Sequence, residues 1–212
     1  MRAKERAAVE WLRHQEDAGI DWEKKTPMGI RDNRYTVDVP TVTGPLSSPQ
    51  PVHLEEAQFT RAQTDRRLKF TLPGPMTICD TIANAHYATR ADMTMAFADI
   101  LNTEARKLEA AGIDLIQFDE TAFNVFMEDV KEWAIEGLSC LTAVHIFYEY
   151  GIEENLRWKD TLSSEWRQYE EIFPALNDSR IDQVSLERAD SRVPLAKIQS
   201  LAAGANLVRK TL

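Results

Sequence analysis

The segment Ile100-Leu-Asn-Thr-Glu-Ala-Arg-Lys-Leu-Glu-Ala-Ala-Gly-Ile-Asp-Leu-Ile-Gln-Phe-Asp-Glu120 changes its hydrophobic period once, at Gly112. Upstream of that glycine, Met93, Phe97, Ile100, Leu101 and Leu108 share one stripe at helical spacing, and Thr89-x-x-Asp92 is a capping-box start. The pattern predicts a helix over 90–110 that Gly112 stops. Downstream, Ile113-Asp114-Leu115-Ile116-Gln117-Phe118 predicts a buried strand, and two carboxylates, Asp119 and Glu120, follow where it emerges.

The same rhythm extends in both directions. Val37–Thr43, Leu68–Leu72, Leu141–Phe147, Ile181–Leu186 and Asn206–Val208 are short apolar or β-branched runs that predict further strands. Helical patterns over 4–18, 53–64 and 162–173 separate most of them, the last with Leu162, Trp166, Tyr169 and Phe173 on one side. Strands alternating with helices pair in parallel through right-handed crossovers, so the class is α/β. Whether the sheet is open or closed is not set by periodicity. Ala18-Gly19-Ile20-Asp21 echoes Ala111-Gly112-Ile113-Asp114, but runs on into Trp22-Glu23-Lys24-Lys25, too charged for a central parallel strand. A strand expected there is therefore missing or heavily altered, and residues 22–34 and 44–52 are expected to be loops.

Composition narrows the function. Of 212 residues, 43% are hydrophobic and 28% charged, with 8 Gly and 9 Pro, which is globular composition. Lys plus Arg at 25 against Asp plus Glu at 34 leaves a net charge of −9 without a basic stripe, arguing against nucleic acid or an anionic membrane surface. No apolar run reaches the roughly 18 residues of a membrane span, no signal-peptide core follows Met1, and Cys79 and Cys140 make no disulfide framework. The expectation is a soluble cytoplasmic protein.

Sites in parallel α/β folds lie beyond the C-terminal ends of the strands. Four places qualify: Pro73-Gly74-Pro75, Asp119-Glu120, His145 and Glu187. One carboxylate of the Asp119-Glu120 pair suits a substrate ammonium or a general base; equally, the pair suits a helix cap with a first-turn acid. His145 is a zinc donor by type, or a hydrogen-bonded core histidine; Glu187 is a ligand by type, or a salt-bridged surface acid. Gly74 between two prolines is a rigid turn that permits close approach. There is no GxGxxG, Walker, GxSxG or CxxC sequence to support nucleotide, hydrolase or redox readings.

Those segments, with Lys69-Phe-Thr-Leu-Pro-Gly-Pro-Met-Thr-Ile78, Val37-Asp-Val-Pro-Thr-Val-Thr-Gly-Pro45, Thr142-Ala-Val-His145 and Ile181-Asp-Gln-Val-Ser-Leu-Glu187, resemble the catalytic domain of cobalamin-independent methionine synthases, in particular the short single-domain members. The resemblance covers most of 36–200 in order. It implies a (β/α)₈ TIM-barrel-derived fold and a zinc-dependent methyltransferase. The thiolate of homocysteine, activated on zinc, would attack the N5-methyl group of 5-methyltetrahydrofolate polyglutamate. It further implies His145 and Glu187 as metal ligands and Asp119 as the acid that holds the amino group of homocysteine.

Departures from the family pattern shape the remaining expectations. The ligand cysteine falls at Phe147, and the family's Asp-Glu-Pro-Ala is Asp119-Glu120-Thr121-Ala122. Residues 1–212 are expected to form a single catalytic-type domain lacking the first strands and the C-terminal end of the barrel, where the last ligand cysteine would lie. About five to six parallel strands are expected, against roughly 250 residues for a typical complete barrel. Its open sheet edges leave three outcomes: an open α/β sheet, association with a second copy, or a product of weak stability. Cys140 is expected about 16 Å along its strand from His145 and facing the other way; Cys79 is expected on the correct rim but with nothing to place it near His145, so neither is expected to replace the ligand cysteine. The expected function is methionine synthesis with impaired activity. The alternatives are a non-catalytic relative that only binds, and zinc-dependent alkyl transfer to another thiol such as coenzyme M.

Overall fold

The change of period at Gly112 becomes a helix followed by a strand. The computed structural model describes residues 17–135, 143–146, 153–154, 157, 168–181 and 183–186. Its elements begin with β1 (Ile20–Ile30), β2 (Tyr35–Val42), α1 (Leu54–Ala62), β3 (Lys69–Pro73), α2 (Pro75–Cys79), β4 (Ala83–Asn84) and α3 (Arg90–Ala110). They continue with β5 (Leu115–Asp119), a 3-10 turn (Thr121–Asn124), and α4 (Met127–Asp129) running into a π-helical turn (Val130–Ala134). The last three are β6 (Ala143–Ile146), α5 (Gln168–Asn177) and β7 (Gln183–Leu186). The expected helix over 4–18, but for its last two residues, and the expected strand at 206–208 lie outside the described residues.

Helix α3 starts and stops where its sequence directs. The Thr89 hydroxyl accepts from the Asp92 amide at 3.1 Å while the Asp92 carboxylate accepts from the Thr89 amide at 3.0 Å, the reciprocal capping box. At the other end, Gly112 N–H donates to Glu109 C=O at 2.9 Å and Ile113 N–H to Leu108 C=O at 3.1 Å. This is the Schellman pattern, and it needs the left-handed φ of 90° that Gly112 adopts. Met93, Phe97, Leu101 and Leu108 are buried as the stripe predicts; Ile100 is half-buried.

Four parallel strands form the main sheet in the order β3-β5-β6-β7. One face turns Leu72, Ile116, Phe118, Val144 and Ile146 into a core shared with Leu101, Leu108, Phe123, Val130, Ile172 and Leu176. Full burial of each such side chain contributes about 1.5–3 kcal/mol. The other face carries Thr71 and Pro73, exposed, with Gln117, Asp119 and His145, half-buried. The strand after Gly112, expected to be buried, alternates: Ile116 and Phe118 are buried in the core, while Leu115, Gln117 and Asp119 are half-buried. This is an α/β fold with a parallel sheet, consistent with part of a TIM barrel.

The N-terminal region departs from expectation. Residues 22–34 are not a loop: β1 and β2 form an antiparallel hairpin, and β2 pairs with β4 in parallel to complete a second, three-stranded sheet. Trp22, Glu23, Lys24 and Lys25 are exposed, as an antiparallel edge strand allows. The Asp21 carboxylate accepts from the Glu23 and Lys24 amides at 3.0 and 2.8 Å, turning the chain outward where the pairing register shifts. Val37–Thr43, expected as one of the parallel-sheet strands, therefore belongs to this hairpin.

At the hairpin tip Arg31, Asp32 and Asn33 all have left-handed φ, of 51, 57 and 61°. Asp80, just after α2, secures that turn by accepting from both the amide and the guanidinium of Arg31, with the two side chains 4% and 2% exposed. Arg90 adds a second guanidinium to Asp80 at 3.4 Å and lies 3.9 Å above the Phe126 ring centroid. Removing the shared carboxylate with Asp80→Ala is expected to cost about 3–5 kcal/mol in denaturant unfolding. It should also expose the 20–42 hairpin to proteolysis before the rest of the chain; an unchanged unfolding midpoint would contradict this role.

Candidate functional site

Parallel register aligns the ends of the main-sheet strands into one row. Pro73 pairs with Asp119, Asp119 with His145, and His145 with Ser185. Side chains in such a row share a face of the sheet. Gln117, two residues before Asp119, is on the same face, and its amide donates to Asp119 Oδ1 at 2.8 Å, holding the carboxylate in one orientation. His145 Nδ1 lies 3.1 Å from both the carbonyl oxygen and the hydroxyl of Ser185. With the proton on Nδ1 and donated to that carbonyl, the ring is the tautomer whose lone pair is on Nε2.

Glu120 turns the opposite way and is fully buried. Its carboxylate accepts from the Met76 amide at 3.0 Å, the Thr77 amide at 2.9 Å and the Thr77 hydroxyl at 2.7 Å. A Cβ on Gly74 would lie 2.1 Å from the Glu120 carboxyl carbon, so only glycine permits this approach. Burial pushes the Glu120 carboxyl from 4.5 up to about 7, held back by the three hydrogen bonds and the charge of Arg31.

Of the residues singled out from sequence, Asp119 and His145 stand side by side, with the Pro73-Gly74-Pro75 turn adjoining Asp119. Glu187, Phe147 and Cys140 lie outside the described residues. Cys79 is buried, not presented on the rim, and burial pushes its thiol up to about 12, which disfavours a thiolate ligand. Among the described residues no three His, Cys, Asp or Glu side chains come together as a metal site. A phenyl ring at 147 supplies no lone pair, so the described residues and Phe147 do not amount to a zinc donor set. Gln117, Thr77 and Ser185 were missed from sequence; only Gln117 carried a signal, its two-residue spacing from Asp119 on one strand.

The Glu120 shift has a definite sign. The folded protein holds this proton more tightly than the unfolded chain between about pH 4.5 and pH 7. The contribution of Glu120 to stability is therefore fully present below about pH 4.5 and declines as pH rises to about 7. Unfolding free energies measured across that window should fall for the wild type more steeply than for Glu120→Gln; equal slopes would contradict the shift.

Comparison with known proteins agrees with this architecture. Residues 24–208 match the family model described as "Cobalamin-independent synthase, Catalytic domain". A methionine synthase of Sulfolobus acidocaldarius is 32% identical over 149 residues, covering 69% of this chain and 40% of that protein. A methionine synthase of Sulfurisphaera tokodaii is 27% identical over 155 residues, with the same coverage of 69% and 40%. The solved structure of a B12-independent methionine synthase from Shewanella sp. W3-18-1, in complex with selenomethionine, matches with a TM-score of 0.79 at 48% identity, covering 91% of this chain and 57% of that one. The chain thus spans about 40% of the length of these two curated relatives. With the family model spanning most of its residues, the chain belongs to the cobalamin-independent methionine synthase family.

Proposed function

We propose that the chain binds the amino group of homocysteine through Asp119, as part of a methionine-synthase-type catalytic domain, and that its methyl transfer to that thiol is impaired. The observation that carries the binding reading is Asp119 itself, oriented by Gln117 and set beside His145 at the C-terminal rim of a parallel sheet. An ammonium donating to a carboxylate is worth about 1.5–3 kcal/mol, enough to select an amino acid over a simple thiol. Selenomethionine, bound by the Shewanella protein, is an amino acid, which supports this ligand class.

Impairment is argued from donor chemistry. The family resemblance assigns zinc to His145, Glu187 and cysteines, and 5-methyltetrahydrofolate polyglutamate as methyl donor. In that scheme a bound zinc would stabilise homocysteine's own thiol as the thiolate. Phe147 replaces one of the cysteines, so the thiol of a homocysteine held by its amino group at Asp119 would retain its ordinary pKa near 8.5 and be mostly protonated at neutral pH. Phe147 equally favours a second reading, in which the domain binds the amino acid and performs no transfer.

Isothermal titration with L-homocysteine tests the binding claim. The wild type should bind, and Asp119→Ala should weaken binding about tenfold or more. Equal affinities, or no binding to the wild type, would contradict it. Elemental analysis tests the donor argument: Phe147→Cys should raise zinc bound per chain relative to wild type, and a His145→Ala change should remove that gain. Zinc unchanged by Phe147→Cys would show that the missing thiolate is not what limits the site.

A further inference from the structure

Adjacent residues on a strand point to opposite faces, and the pair Asp119-Glu120 divides its work accordingly. Asp119 lies on the row of strand ends, while Glu120 runs beneath it into the turn between β3 and α2. The peptide plane between them is held at both ends. The Asp119 carbonyl accepts from the Gly74 amide at 2.8 Å, and the Glu120 amide donates to the His145 carbonyl at 2.8 Å. The Glu120 carboxylate then takes Met76 N–H, Thr77 N–H and the Thr77 hydroxyl, and the Thr77 oxygen accepts in turn from the Ala122 amide at 3.2 Å. Residues 74–77 and 119–122 are thereby stitched together from Asp119 onward.

We infer that Glu120 is a positioning residue for Asp119: by gripping the first turn of α2 it sets the direction from which the Asp119 carboxylate meets a ligand's amino group. The inference rests on the proposed role of Asp119. Glu120 sits on the far side of the strand, so its influence passes through the shared peptide plane. A carboxylate that recognises an ammonium must be held to within about 0.5 Å and 10–20° to keep its charge-assisted geometry. Gln117 fixes the Asp119 side chain from the strand side; the Glu120 grip fixes its backbone from the loop side. Gly74 belongs to the same device, since any Cβ there would displace the Glu120 carboxyl.

The test separates positioning from simple stabilisation by comparing homocysteine with 4-mercaptobutanoate, the same thiol acid without its amino group. Glu120→Ala is expected to weaken homocysteine binding about tenfold while changing 4-mercaptobutanoate binding far less, with Glu120→Gln intermediate because its amide oxygen still accepts. Thr77→Val, which removes only the hydroxyl donor, should show the same selective loss if the alanine variant does not fold. A lowered Tm with unchanged selectivity would overturn the inference and leave Glu120 a structural cap. Native-state amide exchange reads the grip without ligand: exchange at Gly74 and Glu120 should quicken in Thr77→Val relative to Phe118. Unchanged exchange there overturns the grip itself, whereas a wild type that fails to bind homocysteine overturns the functional reading.

Discussion

The Glu120 carboxylate is satisfied only because the first turn of α2 delivers two amides and a hydroxyl to it. A carboxyl group removed from water costs several kcal/mol unless such donors are in place, so this one contact constrains much around it. It requires Gly74 without a Cβ, a turn stiffened by Pro73 and Pro75, a hydroxyl at Thr77, and a peptide plane at 119–120 that also reaches His145. The row Pro73, Asp119, His145 and Ser185 is aligned by the parallel register, and these contacts tie its Asp119 position to the turn at Gly74. Packing of Leu72, Phe118 and Val144 fixes the strands along their length, and the Glu120 contact fixes the end of β5 on the same side.

Much of this was legible in the residues. The 90–110 helix carried both of its end signals, the capping box and the glycine, and both are realised at the residues expected. Within the runs at 68–72, 113–118, 141–147 and 181–186, residues 69–72, 115–118, 143–146 and 183–186 form neighbouring parallel strands, and the rule that sites gather at their C-terminal ends brings Asp119 and His145 to one rim. The hairpin at 20–42 is not legible, because Trp22-Glu23-Lys24-Lys25 is too charged for a central parallel strand and no local signal marks it as an edge strand. An edge strand facing water tolerates that charge, and Asp21 makes the bulge that carries it. Glu120 was open to a capping reading, and it does cap a first turn. That turn belongs to a helix more than 40 residues earlier, a partnership no local pattern encodes.

Family membership and local chemistry bear on different parts of the molecule. The match over 24–208 accounts for the parallel sheet and the strand-end site. It does not by itself carry zinc chemistry with it, because metal donors are individual side chains, and the position where the family resemblance implies a ligand cysteine is Phe147 in this chain. Cys79 offers no replacement: it is sealed between the hairpin sheet and α3 with Val42, Ile82, Met93 and Phe97. The proposed amino-group contact, by contrast, calls on Asp119 and its hydrogen-bonded neighbours, which the described residues include.

A crystal structure of the chain grown with L-homocysteine tests this account most directly. The account predicts the ligand's amino nitrogen about 2.7–2.9 Å from the Asp119 carboxylate, with Gln117 still bonded to Oδ1 and the Glu120 contacts to Met76 and Thr77 unchanged. Homocysteine bound elsewhere, or bound at this rim with its amino group turned away from Asp119, would contradict it.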